Sequence, residues 1–431
     1  MIKREKKERV RVGWVGLGRR GYGMFKEHLS KMCDVDIVWL CDLDIAKLER
    51  AEAHLESVGK PVPKSTRDYR DIIAAGDVDA VIIMTGWGGR VELAVEFMKA
   101  GIYTAIEVGC AHDLEQCYKL VETYEIYETP VMMLENCCYG RRELMALNMV
   151  RQGLFGEVVH AEGSYTHYLS KAELFQVNSS NKEDVDHYRQ YEYAYRNCDN
   201  YPTHAFGPIS KILRINRGNR LMTLSSFASK AAGINEYRRE KLSEDHPLKN
   251  VDLKQGDIIT TVITCAGGET VRLTLDTTLP IPHYSRSFSI RGTKGCCIEE
   301  GNSATFYLEG MEEGVAMNEG EFFEKYDHPL QRENQAAGVK SGHADGIDWL
   351  VLRAFVEAVK AGTDTPIDAY DTASWLAIGP LSAQSIATGG MPQAFPDFTS
   401  GRWFRREDAV MSKYCLDEIV VDETIKISPE K

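Results

Sequence analysis

Several things are missing from this chain of 431 residues, and each absence removes a class of protein. Apolar stretches such as Val78 to Thr85 fall far short of the roughly 20 residues that a membrane-spanning helix needs. There is no low-complexity tract, and 43% hydrophobic with 27% charged residues is an ordinary globular balance, so disordered and fibrous classes are excluded. Positive charge is in deficit. Lys and Arg number 51 against 64 Asp and Glu, a net charge of −13, which argues against nucleic acid as a partner. The 11 cysteines include no C-x-x-C; their odd number and adjacent pairs, Cys137/Cys138 and Cys296/Cys297, suit reduced structural thiols better than disulfides or a zinc site. The basic segment Met1 to Arg11 is followed by neither an apolar core nor a cleavage site, so the chain reads as cytoplasmic unless an export signal has been removed ahead of it.

What is present is length enough for two or three packed units. Short β-branched runs alternate with helical stretches over the first 139 residues. Val10 to Val15, Asp36 to Cys41, Asp79 to Thr85, Tyr103 to Glu107 and Val131 to Leu134 read as strands, with helices between them. That alternation predicts an α/β unit with a parallel sheet over residues 1–139. Residues 140–431 follow another pattern. Val158 to Tyr165, Asp257 to Cys265, Thr270 to Thr278, Ser287 to Arg291 and Thr305 to Leu308 are β-rich, and Ala266 to Glu269 is a hairpin signal. An α+β domain on a mainly antiparallel sheet is expected, closed by helices at Asp348 to Lys360 and Asp371 to Ala387. Leu169 to Arg196 and Gly310 to Gly346 are polar and weakly periodic, and read as excursions covering a site.

Gly16-Leu17-Gly18-Arg19-Arg20-Gly21 follows a strand, opens a helix, and has Asp42 at the end of the next strand. That context makes the run a dinucleotide-binding, Rossmann-type fingerprint rather than a plain turn. Gly16 permits the turn, Gly18 lets backbone approach a pyrophosphate, and Gly21 lets helix pack on strand. Asp42 can accept from a ribose hydroxyl and would repel a 2′-phosphate, so NAD is expected over NADP. Arg19 and Arg20 are candidate phosphate contacts, with a solvated face as the bland alternative.

Polar residues gather in the second domain. Tyr165-Thr166-His167 ends a strand, Asn200-Tyr201-Pro202-Thr203-His204 precedes an apolar helix, and Ser341 to Asp345 places His343 in a small-residue loop. His and Tyr are the acid/base groups such a site would use, although any one His is as readily structural. Glu135-Asn136 stands at a strand's C-terminal end, where open α/β sheets bind ligands. No metal site is expected, because these residues lack a compact ligand spacing.

The order of domains resembles the glucose-fructose oxidoreductase/inositol dehydrogenase (Gfo/Idh/MocA) family. Glu107-Val108-Gly109 stands where that family has Glu-Lys-Pro, and Asn200-x-x-x-His204 where its dehydrogenases have Asp-x-x-x-His. A narrower resemblance, to glycoside hydrolase family 109, the NAD-dependent α-N-acetylgalactosaminidases, runs through several segments. They are Glu107-Val108, Met133 to Tyr139, Gly156 to Tyr165, Asn200 to His204, Ile215 to Gly218 and Pro396 to Trp403.

The resemblance implies oxidation of sugar carbon 3 with NAD, elimination of the glycosidic substituent, addition of water and return of the hydride. It implies catalytic roles for Tyr165, His167, His204 and His343, with His204 held beside Asn200 and His343 assisting the leaving group. It implies cofactor contacts from Thr85, Trp87, Glu107, Val108 and Asn136, with substrate contacts from Tyr139, Asn200, Tyr201 and Trp403. A homo-oligomer is expected on the same analogy.

Departures from the family pattern are specific. Its Tyr-x-His-Asp-Leu-Arg is here Tyr165-Thr166-His167-Tyr168-Leu169-Ser170, its Gly-Gly-His-Gly-Gly is Ser341-Gly342-His343-Ala344-Asp345, and Thr85 to Arg90 lacks the usual Pro and His. An NAD-dependent sugar or polyol dehydrogenase that releases NADH is the alternative reading, with Val108 against it. A non-catalytic NAD- or sugar-binding protein is the third.

Overall fold

The computed structural model describes residues 4–169, 188–301, 303–312, 317–336, 346–406 and 412–420. The first part of the chain forms β1 (Val10–Val15), α1 (Arg19–Glu27), β2 (Val35–Cys41), α2 (Ile45–Ser57), β3 (Lys64–Thr66) and α3 (Tyr69–Ala75). It continues through β4 (Ala80–Ile83), α4 (Arg90–Lys99), β5 (Tyr103–Ile106), α5 (Leu114–Tyr127) and β6 (Val131–Met133). The six strands lie in the order β3-β2-β1-β4-β5-β6, and every pairing is parallel. β4 and β5 are buried along their whole length, as strands covered by helices on both faces must be. Asp44, Asp68 and Asp113 start α2, α3 and α5 by accepting hydrogen bonds from first-turn N–H groups. This is the Rossmann strand order, whose ligand crevice lies at the C-terminal strand ends where β1 meets β4.

The chain then forms α6 (Arg141–Arg151), β7 (Val158–Thr166), α7 (Tyr188–Tyr195), α8 (Thr203–Ile212), β8 (Leu221–Ala228), α9 (Gly233–Lys241), β9 (Ile258–Cys265) and β10 (Thr270–Asp276). After these come β11 (Ser289–Gly292), β12 (Gly295–Glu300), β13 (Ser303–Leu308), β14 (Met317–Asn318), α10 (Glu319–Tyr326) and α11 (Pro329–Ala336). The last elements are α12 (Ile347–Ala361), α13 (Ala369–Leu376), α14 (Ile378–Ala387) and β15 (Gln393–Ala394). A nine-stranded sheet runs β14-β13-β12-β11-β7-β10-β9-β8-β15.

It is antiparallel except at its centre, where β7 and β10 pair in parallel from His160↔Thr270 to Thr166↔Asp276. The expected hairpin joins β9 and β10, with Gly268 at φ +96° in its turn. Because β10 enters by this hairpin rather than from β7, its direction is set by β9, so the sheet is mixed.

Two expectations change. The periodic stretch Asp371 to Ala387 is split at Ala377 into α13 and α14. Pro380 has no N–H to give the carbonyl of Leu376, which instead accepts from Ala111 N–H at 3.3 Å. The weakly periodic segments contain helices where they are described, α7 in the first and α10 and α11 in the second; α7 owes its order to tertiary contacts, since Arg189, Gln190, Tyr193 and Ala194 are buried. The final helices also return to the first sheet. Arg353 and Lys360 of α12 each reach Asp34, before β2, at 2.7 Å, and α13 packs on α5 and β6.

Candidate active site

A cavity of about 630 Å³ lies at the C-terminal edge of the parallel sheet, lined by Gly16, Gly18, Asp42, Thr85 and Gly86 among others. Gly16 sits at φ +97°, and a Cβ there would stand 2.8 Å from the Met84 carbonyl carbon. A Cβ on Gly21 would lie 2.3 Å from the Gly16 oxygen, so this glycine is required for α1 to seat on the turn. Gly18 differs from both. A Cβ there would meet no protein atom within 4 Å, so the space beside it is left for a ligand. Gly18 starts α1 without a side-chain cap, leaving first-turn N–H groups for an anion.

Leu17 is buried and donates its N–H to Asp42 Oδ2 at 2.6 Å, while Asp44 N–H reaches Oδ1 at 3.0 Å. The carboxylate that would receive the ribose therefore also organises the glycine turn. These features fit a dinucleotide, with the adenosine half on the β1–β2 side.

Arg20 is held by an acid. It grips Asp348 of α12 through two 2.7 Å bonds and lies 3.9 Å from Glu107. Asn136 is committed to the same acid, donating to Asp348 Oδ1 at 2.6 Å. Both expected cofactor contacts brace the first domain against α12. Arg19 is exposed, Val108 is buried, and Glu107 Oε2 is buried without a hydrogen-bond partner among the described residues. Trp87 is buried between Tyr188 and Tyr201, at ring distances of 5.3 and 6.1 Å. Thr85 lines the cavity.

Beyond this crevice, the end of β7 and the start of α8 bring Tyr165, His167, Tyr201 and His204 together. Tyr165 stacks on Tyr201 at 4.3 Å, and its hydroxyl lies 3.2 Å from His167 Nδ1. His204 meets the edges of both tyrosines, 5.5 and 4.9 Å between ring centres. Its Nδ1 is 2.7 Å from Glu135 Oε1, and Glu135 is fully buried just after β6. Asn200 does not hold His204 as expected; its amide donates to Gln255 at 3.0 Å.

Burial opposes a charge on His204, but Cys137 and Glu135 beside it outweigh burial and lift its pKa to about 10. Burial pushes the Cys137 thiol up, and it pushes Glu135 up too, but in Glu135 the His204 charge prevails and leaves the carboxyl below its ordinary value. At neutral pH, Glu135 is thus the anion that keeps His204 protonated.

The sequence marks Glu135 as standing at a ligand-binding strand end but not its partner, which is distant in the chain, and three further residues carry no sequence signal for this site. Tyr284, 5.4 Å from His167 and 6.1 Å from Tyr165, arrives from the segment before β11. Arg189 of α7 lies over the rings of Tyr201 and Trp87. Cys137, Glu135 and His204 place donor atoms within 4.8 Å of one another, a compactness that linear spacing does not reveal.

Two expected substrate contacts have partners of their own. Tyr139 is fully buried and gives its hydroxyl to the Tyr414 carbonyl, so it is a core residue. Trp403 is held by Thr399 and Gly218 through its backbone, beside the turn after α8. His343 lies outside the described residues. Among the described residues, no helix is long and apolar enough to cross a membrane.

Fold and site together define a two-domain dinucleotide-binding protein of the oxidoreductase type, with an acid/base cluster set against the cofactor crevice. Solved structures of similar fold include a levoglucosan dehydrogenase in complex with NADH and levoglucosan, with a TM-score of 0.69, 16% identity, and coverage of 90% of this chain and 100% of that one. An inositol dehydrogenase homolog from Azotobacter vinelandii, complexed with NADH and myo-inositol, matches at a TM-score of 0.66 and 16% identity, over 90% and 98% of the two chains.

Residues 139–405 match the family model for the glycosyl hydrolase 109 C-terminal domain. A glycosyl hydrolase family 109 protein of Stenotrophomonas maltophilia (strain K279a) is 38% identical over 418 residues, 93% of this chain and 91% of its own. An alpha-N-acetylgalactosaminidase of Tannerella forsythia is 36% identical over 421 residues, 93% and 88% of the two chains. The chain belongs to glycosyl hydrolase family 109.

Proposed function

We propose that this chain is an NAD-dependent glycosidase that works by transient oxidation at sugar carbon 3, elimination, water addition and re-reduction. The observation that carries the reading is the pairing of two proton-handling dyads, Glu135–His204 and Tyr165–His167, in contact through their rings beside the crevice. NAD, held by the Gly16–Gly21 turn and Asp42, supplies a hydride acceptor that is regenerated within each turnover.

His204, kept cationic by Glu135, donates to the carbon 3 oxygen and draws charge from the adjacent carbon 2, whose proton becomes removable by an ordinary base. Tyr165 and His167 exchange that proton. Tyr284, the more exposed ring, packs against the sugar, Tyr201 backs Tyr165 from behind, and His343 assists the leaving group. The Tannerella forsythia relative supports an N-acetylgalactosaminide as substrate.

The domain boundary is placed after Tyr139. The open face of the nine-stranded sheet exposes Val262 and Phe227 beside the Arg272–Glu162 ion pair and is the proposed contact with a second copy, which sedimentation analysis tests.

The second reading, a dehydrogenase that releases NADH, is favoured by the sugar- and polyol-bound dehydrogenase neighbours. Proton NMR in deuterated water, with NAD and aryl glycosides of galactose, glucose and their N-acetyl forms, separates the two. Cleavage with deuterium at carbon 2 of the released sugar and no net NADH is expected. Intact glycoside with accumulating NADH would overturn the glycosidase reading. Tyr165→Phe and His167→Asn should each slow deuterium incorporation by about 100-fold or more.

A further inference from the structure

Arg90 opens α4 and is 4% exposed. Its Nε lies 3.1 Å from the Thr85 carbonyl, which Nη2 also contacts, and its Nη1 lies 2.6 Å from the carbonyls of both Glu107 and Val108. One guanidinium thus joins the C-terminal ends of β4 and β5. Every hydrogen-bond partner is a neutral carbonyl, and among the described residues Arg90 forms no ion pair. The carboxylate whose charge acts on Arg90, that of Glu107, lies 3.9 Å from Arg20, which also bonds Asp348. Burial lowers the pKa of Arg90, with Tyr188 and Glu107 opposing, but an arginine starts from so high a value that the cation persists.

With the adenosine half of a dinucleotide on the β1–β2 side, its nicotinamide half falls toward the β4–β5 ends that Arg90 joins. A positive charge fixed in a water-poor wall there opposes the cationic oxidised ring and leaves the neutral reduced ring unaffected. We propose that Arg90 is a positioning residue that biases the bound cofactor toward its reduced form, easing the first hydride transfer from the sugar. The inference rests on the NAD-dependent reading above. It gives the site a reason to complete oxidation before elimination: hydride leaves carbon 3 with its electron pair for the nicotinamide, the hydroxyl proton leaves to the Tyr165–His167 pair because cationic His204 cannot take it, and both steps reverse at the end.

The test measures dissociation constants for NAD+ and NADH, by calorimetry and NADH fluorescence, on the full chain and its variants. Arg90→Gln should lower the ratio of the NAD+ constant to the NADH constant by about tenfold. Arg90→Lys, which keeps the charge with fewer donors, should hold the ratio at the wild-type value. Loss of both affinities together with an unchanged ratio, or an equal shift in the Lys and Gln variants, overturns the proposal and leaves Arg90 as a structural clip.

Glu107→Gln provides a second arm should Arg90→Gln fail to fold, since only the Glu107 carbonyl bonds Arg90. Removing that acid should raise the ratio, and no rise counts against the proposal. If wild-type protein binds neither nucleotide, the cofactor assignment and this inference fall together. Binding with an unmoved ratio sinks the inference alone.

Discussion

The imidazole Nδ1 of His204 lies 2.7 Å from Glu135 Oε1, tying the first turn of α8 to the segment after β6. The contact crosses between the two domains, so the acid/base group and the sheet edge that carries the cofactor are held as one unit. The charge of the site follows from it: a buried carboxylate keeps a buried imidazole protonated at neutral pH.

Glu135→Gln removes that anion, and the His204 pKa should fall from about 10 toward the ordinary histidine value. A raised pKa stabilises the fold fully below the unfolded value of about 6.5, and that contribution fades as pH rises through the folded value. The variant should therefore melt lower than wild type at pH 6, with the gap closing by about pH 10 to 11. Nitrogen-detected NMR of His204 and melting curves check this. Turnover should drop by about 100-fold or more.

Gly18 and Gly21 should separate under substitution by alanine. In Gly21→Ala the new Cβ meets the Gly16 oxygen, so both melting temperature and NAD affinity should fall. In Gly18→Ala the Cβ enters space empty of protein, so stability should hold while NAD affinity drops by more than about tenfold. Melting curves paired with NADH fluorescence titration give both readings.

Arg217 is fully buried among three acids, at 2.7 Å from Asp368, 3.0 Å from Asp371 and 3.1 Å from Asp417. Arg217→Ala leaves Lys211 and Arg406 as the cations facing those carboxylates, and should cost about 3–5 kcal/mol in urea unfolding. A cost below about 1 kcal/mol would mean that the cluster reorganises around the loss.

Burial pushes the Asp34 carboxyl up, but Arg353 and Lys360 more than offset it and hold it well below the ordinary carboxylate range. The stability contributed by a depressed carboxyl is present above the unfolded pKa of about 3.9 and is lost as pH falls below it. Asp34→Asn should lower the melting temperature at pH 7, and its difference from wild type should shrink steadily below about pH 4. Thermal scans across that range test the sign.

The sequence alone determined what depends on local periodicity and on residues close together in the chain. The parallel sheet, the glycine turn with Asp42, the β9–β10 hairpin and the gathering of Tyr165 with His167 all follow from neighbours within a few tens of residues, where chain geometry restricts the outcome. Family membership was legible because many short segments match at once.

The tertiary structure decided the partners. Arg20 and Asn136 read from sequence as phosphate or cofactor contacts, and only the fold shows that α12 returns with Asp348 to bond both. Tyr139 reads as a substrate contact until packing buries it and Tyr414 takes its hydroxyl. The same holds for Glu135 with His204 and for Arg90 with the β5 carbonyls. A side chain's role at such positions depends on which charge or dipole arrives from a distant part of the chain, and burial makes that one encounter decisive.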